Sequence, residues 1–422
     1  MMSPKRNLSA LTVELIRAEM SENRLPVVIF GASMAGEVIF YRCQELGIRV
    51  LAFCDNNIKK TGRDYCGIPV VHTKELIAHF GDVNLLIAVA DIEDIIIQVE
   101  RLNYTHWYPG NIFLKTVNTF HHVYSGPAEY VDYVVKTCIH CQDNYIQPDR
   151  LFLRSVDVII TERCSLKCAH CSNLMQYYEH PQNCETTQIL ESIAILCSVV
   201  DEINEFRVIG GEPFMNKEVH IITQALVKES KVLNVVIYTN GTILPKPEQI
   251  QGMNDPKVLV LITDYGELSR NLDPLVESLS AAGIRYYVGK AGGWTDCSTI
   301  AKHNRPADDL KALFTECCAK NTFTFSDDKF FRCPFSANIE RLGHIPVNSA
   351  DRFDLAMAMK SGWDESFIKR QLSAFINKME YMSVCDYCNG RSFDAPEIEP
   401  ARQIRQFLKL DLSNIQTGMP CE

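Results

Sequence analysis

The sequence lacks any apolar run long enough to cross a membrane, which takes roughly 18 residues or more. Its N-terminal stretch, MMSPKRNLSALTVELIRAEM, has neither the long apolar core nor the small-residue cleavage site of a secretion signal. That stretch is typical of an amphipathic helix. We therefore expect a soluble, cytoplasmic protein without a membrane partner.

The chain also lacks a basic stripe with interleaved aromatic residues, and its formal net charge is −10. Nucleic acid is therefore not an expected partner. There is no short-period repeat or low-complexity tract, which argues against a solenoid. The 422 residues, 46% hydrophobic and 22% charged, are typical of an ordinary globular protein with two or three domains.

Alternating strand and helix patterns predict an α/β fold. Residues 1–125 are predicted to form an N-terminal helix and a Rossmann-like domain with a parallel sheet, and residues 126–150 a linker. Residues 151–300 carry a second series of βα units, typical of an open or closed parallel barrel with its site at the carboxyl ends of the strands. Residues 301–398 are less regular, and residues 399–422 form a C-terminal tail.

Seventeen cysteines without a secretion signal indicate metal or redox chemistry rather than disulfides. Cys164, Cys168 and Cys171, in ITERCSLKCAHCSNL, follow the first strand of the second βα series. A closed zinc site would need a fourth ligand. Three thiolates on a short loop suit a cubic iron–sulfur cluster and leave one of its four irons open.

The C-x3-C-x2-C spacing resembles the signature of radical S-adenosylmethionine (SAM) enzymes, and further motifs of that family follow in order over roughly residues 151–300. The resemblance implies a [4Fe–4S] cluster whose open iron chelates SAM, cleavage of SAM to a 5′-deoxyadenosyl radical, and a reductant such as flavodoxin or ferredoxin. It also implies cofactor-binding residues: His170 near adenine, the GGEP motif at the SAM amino group, and YTNG near the ribose. By number these are His170, Gly210, Gly211, Glu212, Pro213, Thr239 and Asn240.

A second cysteine group comprises Cys317 or Cys318, then Cys333, and then the C-x2-C pair Cys385 and Cys388. The pattern predicts a helix end, a hairpin turning at SDDK, and a knuckle. Four thiolates in this frame would complete a second cluster or a tetrahedral zinc site. The group resembles the twitch form of SPASM-type extensions over residues 301–398, which implies one auxiliary [4Fe–4S] cluster. Another C-x2-C pair, Cys138 and Cys141, is interpreted as packing on a helix.

In the N-terminal domain, GASMAG (Gly31, Ser33, Gly36) occupies the position of a dinucleotide-binding loop, with serine in place of the second glycine. Asp55 follows the second strand, where an acidic residue would meet a ribose hydroxyl. The alternative is a structural turn that needs small residues. The run also resembles N-terminal domains of sugar O-acyltransferases, which motivates a nucleotide-linked or phosphorylated sugar as the small-molecule substrate.

These features lead to one functional hypothesis and several rivals. An auxiliary cluster near the radical site would accept an electron, so we expect oxidation (dehydrogenation) of a sugar-like or nucleotide-linked substrate, as in radical SAM dehydrogenases with a twitch domain. Asp264 and Cys297 are the candidate catalytic residues. The rivals are peptide modification, a redox-neutral sugar epimerisation in which Cys297 returns a hydrogen atom, and a non-enzymatic cluster-binding protein.

Overall fold

The computed structural model describes residues 7–392 and 395–410. Parts of the expected N-terminal helix and C-terminal tail, residues 1–6 and 411–422, lie outside the described residues. The chain divides into two compact units at Arg150 and Leu151. Among the described residues, no helix is both long and apolar enough to cross a membrane.

The first unit is an α/β unit built on one sheet. Its strands are β1 (Val27–Phe30), β2 (Val50–Asp55), β3 (Asp64–Tyr65), β4 (Ile68–His72), β5 (Asn84–Ile87) and β6 (Trp107–Pro109). Its helices are α1 (Val13–Asn23), α2 (Met34–Glu45), α3 (Leu76–Phe80), α4 (Ile92–Arg101), α5 (Asn111–Leu114) and α6 (Ala128–Tyr145). The strand order is β3-β4-β2-β1-β5-β6, parallel except for β3 against β4.

Strand β1 shows why this sheet is covered on both faces. Its four residues are all buried. Because side chains alternate along a strand, Ile29 packs in one core with residues of α2 and α6, while Val28 packs in another with residues of α4. The continuous apolar sequence of β1 is thus explained by a parallel sheet between helices, as predicted.

The second unit contains the cysteine groups. Its strands are β7 (Phe152–Thr161), β8 (Glu202–Gly210), β9 (Val232–Thr239), β10 (Val258–Asp264), β11 (Arg285–Lys290), β12 (Trp294–Thr295), β13 (Phe323–Ser326), β14 (Lys329–Phe331), β15 (Arg352–Asp354) and β16 (Glu397–Ile398). Its helices are α7 (Thr186–Val199), α8 (Val219–Lys228), α9 (Pro247–Met253), α10 (Leu272–Ala281), α11 (Ala307–Glu316), α12 (Pro334–Leu342), α13 (Leu355–Lys360) and α14 (Glu365–Lys378).

The large sheet of this unit has the order β11-β10-β9-β8-β7-β13-β14-β15. Strands β7 to β11 are parallel neighbours, and the sheet is not closed within the described residues. The predicted α/β class with a partial barrel is therefore confirmed. The expected hairpin at SDDK is β13–β14, which turns at Asp327 and Asp328 with positive φ angles. Strand β13 pairs in parallel with β7, so this hairpin continues the sheet of the barrel.

Candidate metal centre

Residues 162–174, which we call the cluster loop, follow β7 and carry the cysteine triad. Cys164 and Cys171 pack around a small apolar core formed by Leu166, Cys168 and Ala401. Burial, followed by the neighbouring thiol of Cys171, raises the pKa of Cys168 to about 11. The same two causes raise the pKa of Cys164. The three thiols are thus close neighbours on one loop, as their spacing predicts.

The two glycines of GGEP allow the end of β8 to lie directly against the cluster loop. The N–H of Gly211 donates to the carbonyl of Thr161 at 2.9 Å, and the N–H of Glu212 donates to that of Arg163 at 2.7 Å. A Cβ atom at Gly211 would lie 2.1 Å from the Arg163 oxygen, and one at Gly210 would lie 2.1 Å from the Thr161 oxygen. Gly210 also has a φ of +151°. The motif therefore has a steric reason in addition to the expected contact with SAM.

Glu212 is fully buried and joins the ends of two neighbouring strands. Its carboxylate accepts hydrogen bonds from the Thr239 hydroxyl at 2.8 Å, the Asn240 N–H at 2.9 Å and the Phe214 N–H at 3.2 Å. Burial raises the pKa of Glu212 to about 7, although these hydrogen bonds act in the opposite direction. Pro213 begins the short 3-10 helix Pro213–Met215 that follows.

The YTNG motif also reaches the cluster loop. The Asn240 amide donates to Ser165 Oγ at 3.2 Å and to Cys164 Sγ at 3.7 Å. Ser165 in turn hydrogen-bonds to the Thr242 hydroxyl. The motifs at the ends of β8 and β9 are therefore assembled around the triad. The predicted contacts of Thr239 and Asn240 with SAM stay predictions.

Residues that follow β10 and β11 pack against the cluster loop. The rings of Tyr265 and Trp294 meet edge to face at 6.0 Å, and both pack against the triad's apolar core. His170 lies within the cluster loop, with Nδ1 at 3.4 Å from the Asp296 carboxylate. Asp264 is held in a local turn, since its carboxylate accepts from the Gly266 N–H at 2.8 Å. A catalytic role for Asp264 stays a prediction.

The second cysteine group is also assembled in the fold. Burial, followed by the thiols of Cys385 and Cys317, raises the pKa of Cys333. Burial, followed by the thiols of Cys297, Cys333 and Cys317, likewise raises that of Cys388. Cys317 is therefore the neighbour of the other three thiols. The adjacent Cys318 is exposed, and the charged groups that influence its pKa are Arg391 and Cys317.

Cys297 lies between the two groups. Burial raises its pKa to about 11, and its charged neighbours include both Cys317 of the second group and Cys171 of the triad. Its backbone carbonyl accepts a hydrogen bond from Cys388 Sγ at 3.3 Å. The segment that contains Cys297 thus joins the cluster loop to the second cysteine group.

Neither group has the geometry of a single-ion site. Within residues 7–392 and 395–410, no three His, Cys, Asp or Glu side chains converge closely enough to hold one metal ion. A cubane spreads its thiolate ligands over different irons, so it accepts a wider ring of sulfurs. The mutually close thiols, of which Cys168 is buried and the other two are partly buried, and the close backbone approach at Gly211 fit a cluster on the triad.

In the first unit, the residues expected to bind a nucleotide have structural partners. Ser33 Oγ accepts from the Gly36 N–H at 3.4 Å and caps α2. The Asp55 carboxylate accepts from the Ala32 N–H at 3.1 Å and from Lys60 Nζ at 2.8 Å. A Cβ atom at Gly36 would lie 2.0 Å from the Gly31 oxygen. These contacts account for the motif as a turn of small residues, and ligand binding there stays a prediction.

The C-terminal segment is a part of this site that sequence reasoning missed. Residues 397–408 run along the cluster loop: the Ile404 N–H donates to the Lys167 carbonyl, and the Ala169 N–H donates to the Arg402 carbonyl, both at 2.8 Å. The sequence does contain a signal for this docking, because apolar residues in a charged tail indicate that the tail packs on the protein. These residues are Ile404, Phe407 and Leu408.

Comparison with known proteins supports the class of the second unit. Residues 158–263 match the model of the Radical SAM superfamily. The second unit therefore contains a radical SAM domain over these residues, as its motifs predicted, and the cofactors of that superfamily are a [4Fe–4S] cluster and SAM.

Individual proteins that resemble this chain match only part of it, at low sequence identity. A protein of Clostridium acetobutylicum named GTP 3′,8-cyclase is 32% identical over 97 residues, which cover 22% of this chain and 30% of that protein. The GTP 3′,8-cyclase of Bradyrhizobium diazoefficiens is 25% identical over 181 residues, 39% of this chain and 49% of that protein. This chain therefore spans less than half of either relative. The structure of BtrN in complex with AdoMet and 2-DOIA matches with a TM-score of 0.36 and 12% identity, over 56% of this chain and 93% of that one.

Proposed function

We propose that this protein is a radical SAM enzyme that oxidises a sugar-like or nucleotide-linked small molecule, with an auxiliary [4Fe–4S] cluster as the electron acceptor. The observation that carries the proposal is the position of Cys297 between the triad and the second cysteine group. In this proposal, Cys164, Cys168 and Cys171 hold the cluster that binds SAM. Cys317, Cys333, Cys385 and Cys388 hold the auxiliary cluster.

When bound, the first cluster and SAM supply a 5′-deoxyadenosyl radical. The chain's residues position and shield that chemistry. Asn240 and Ser165 brace the cluster loop, and Gly211 gives the space for the close approach of that loop to β8. In this proposal His170 contacts the adenine of SAM.

The second group supports oxidation because it offers four thiols. Four thiolates would occupy all four irons of a cubane, and a fully ligated cluster suits electron transfer better than substrate binding. In the proposed reaction, a substrate C–H bond gives its hydrogen atom to the 5′-deoxyadenosyl radical. A cluster held by Cys317, Cys333, Cys385 and Cys388 would accept one electron from the resulting substrate radical, and solvent would accept one proton, so the substrate would lose two hydrogens. A flavodoxin or ferredoxin would supply the electron that cleaves SAM.

A second candidate reaction is cyclisation of a purine nucleotide, because the curated relatives are named GTP 3′,8-cyclase. Both candidates involve a nucleotide or a nucleotide-linked group. They differ in the product, since oxidation removes two hydrogens and cyclisation joins two atoms within the substrate.

The test is anaerobic reconstitution followed by iron counting and incubation with SAM and a reductant. We expect about eight irons per chain for two cubanes, and about four in Cys164→Ala. Cys66→Ala, which removes a thiol of the first unit, is the control and should retain all the iron. A wild-type protein that holds only about four irons would contradict the proposal of an auxiliary cluster.

A substrate panel of nucleotide-sugars and GTP then separates the reactions by mass. A product lighter by two hydrogens supports oxidation. A product of unchanged mass in H2O that gains one carbon-bound deuterium in D2O supports epimerisation, with Cys297 as the hydrogen donor. A product of unchanged mass with a new ring bond supports cyclisation. Absence of SAM cleavage in fully loaded protein would contradict the enzyme proposal.

A further inference from the structure

The C-terminal segment 397–408, which we call the strap, crosses the cluster loop, and its residues Arg402 and Ile404 exchange backbone hydrogen bonds with that loop. Cys168 and Gln403 form an antiparallel bridge, although they are 235 positions apart in sequence. The strap continues past the cluster loop, where the Leu408 N–H donates to the Gln176 carbonyl at 2.8 Å. Lys167 Nζ lies 4.5 Å from the centre of the Phe407 ring.

The strap also covers the apolar core around the triad. Ala401 is only 2% exposed and packs with Leu166 and Cys168. Upstream, Ile398 pairs with Trp294, which packs against the same core. The strap therefore limits the access of solvent to one side of the cluster loop.

The Gln403 amide makes two different contacts with that loop. Its oxygen accepts from the Lys167 N–H at 2.8 Å, and its nitrogen donates to Cys168 Sγ at 3.3 Å. The same nitrogen donates to the Ala401 carbonyl at 2.6 Å. One side chain thus anchors the backbone of the loop and places an N–H group on a sulfur of the triad.

We propose that Gln403 is a positioning residue that raises the reduction potential of the SAM-binding cluster by donating a hydrogen bond to Cys168 Sγ. This inference depends on Cys168 being a cluster ligand, as in the proposed function. Hydrogen bonds to cluster sulfurs are among the factors that set the potential of such clusters. An N–H donor stabilises the more negative, reduced cluster more than the oxidised one, so its loss lowers the potential.

Two variants separate the hydrogen bond to sulfur from the anchor to the backbone. Gln403→Ala removes both contacts. Gln403→Glu keeps an oxygen that can accept from the Lys167 N–H, but it replaces the N–H donor with a carboxylate beside the sulfur. The matched control is Gln406→Ala, which removes an exposed glutamine from the same strap.

The measurement is a redox titration of the reconstituted full-length protein, followed by electron paramagnetic resonance. The signal that shifts on addition of SAM identifies the SAM-binding cluster. We expect a lower potential in Gln403→Ala than in wild type, a still lower one in Gln403→Glu, and no shift in Gln406→Ala. Iron content is measured in parallel. Loss of the SAM-responsive cluster from Gln403→Ala but not from Gln406→Ala would show that the anchor is needed to hold the cluster. A wild-type potential in Gln403→Glu would then overturn the role of the donor.

Equal potentials in wild type, Gln403→Ala and Gln403→Glu would overturn the inference. A failure of the proposed function is separable from this outcome, because it would appear in Cys168→Ala. If Cys168→Ala retained the full iron content and the SAM-responsive signal, Cys168 would not be a ligand. That result would contradict the triad assignment itself.

Discussion

The carboxylate of Asp296 lies 3.4 Å from Nδ1 of His170 in the cluster loop. The same carboxylate accepts a hydrogen bond at 3.4 Å from Asn389, which directly follows Cys388 of the second cysteine group. Asp296 therefore contacts the surroundings of both groups, and Cys297 is its neighbour in sequence. Burial acts to raise its pKa, but hydrogen bonds from Thr299 and Ser298 and the nearby His170 together hold the pKa of Asp296 below its usual range.

Replacement of Asp296 is expected to loosen this connection. Asp296→Ala leaves the Ser298 N–H, the Thr299 N–H and the Thr299 hydroxyl without their acceptor, at a cost of about 1–3 kcal/mol in the free energy of unfolding. Asp296→Asn keeps one acceptor oxygen and should lose less. Anaerobic urea unfolding of reconstituted protein measures both. Equal stability of Asp296→Ala and wild type would show that the carboxylate does not hold this segment.

Cys317 and Cys318, which are adjacent in sequence, provide a matched pair of variants that tests the auxiliary cluster. Cys317→Ala should lose about four irons per chain, because its thiol faces the other three of the group. Cys318→Ala should lose none, because that residue is exposed and, of the second group, only Cys317 influences its thiol. Iron counting after anaerobic reconstitution tests both variants. Iron loss in Cys318→Ala but not in Cys317→Ala would show that Cys318 is the ligand.

Gly211 is expected to tolerate no side chain. In Gly211→Ala the Cβ atom would lie 2.1 Å from the Arg163 carbonyl oxygen, and a backbone oxygen cannot move aside as a flexible side chain could. Overpacking of this kind costs about 1–3 kcal/mol, and we expect loss of the triad's cluster as well. Gly292→Ala is the control, since a Cβ atom there meets nothing within 4 Å. Thermal unfolding and iron content together check the difference. A stable Gly211→Ala variant with full iron would show that the loop can shift.

The loop of the first unit allows stability and ligand binding to be separated. Ser33→Ala removes the cap of α2 and should cost about 1 kcal/mol, measured by thermal unfolding. If the loop also binds a nucleotide-sugar, Ser33→Ala should weaken that binding in calorimetry, while the exposed Ser9→Ala should not. Unchanged calorimetric binding in Ser33→Ala would argue that Ser33 serves only the turn.

Local spacing was sufficient to predict much of this protein. The C-x3-C-x2-C loop, the glycines at the end of β8 and the alternation of strands and helices depend on residues close together in sequence. A short loop can bring its own thiols together, and repeated βα units close into a parallel sheet without information from distant segments. The closeness of the three thiols and the partial barrel could therefore be predicted from the sequence, and the radical SAM domain from the resemblance of its motifs to a known family.

The sequence by itself determined the spacing of three thiols on the cluster loop and the alternation of strands and helices. The tertiary structure alone decided which of Cys317 and Cys318 faces the second group. It also decided which groups donate hydrogen bonds to the Asp55 carboxylate, and that Gln403 reaches Cys168. These relationships join segments far apart in the chain, and their geometry depends on packing that no local pattern encodes. The strap thus became part of the candidate metal centre only through the fold.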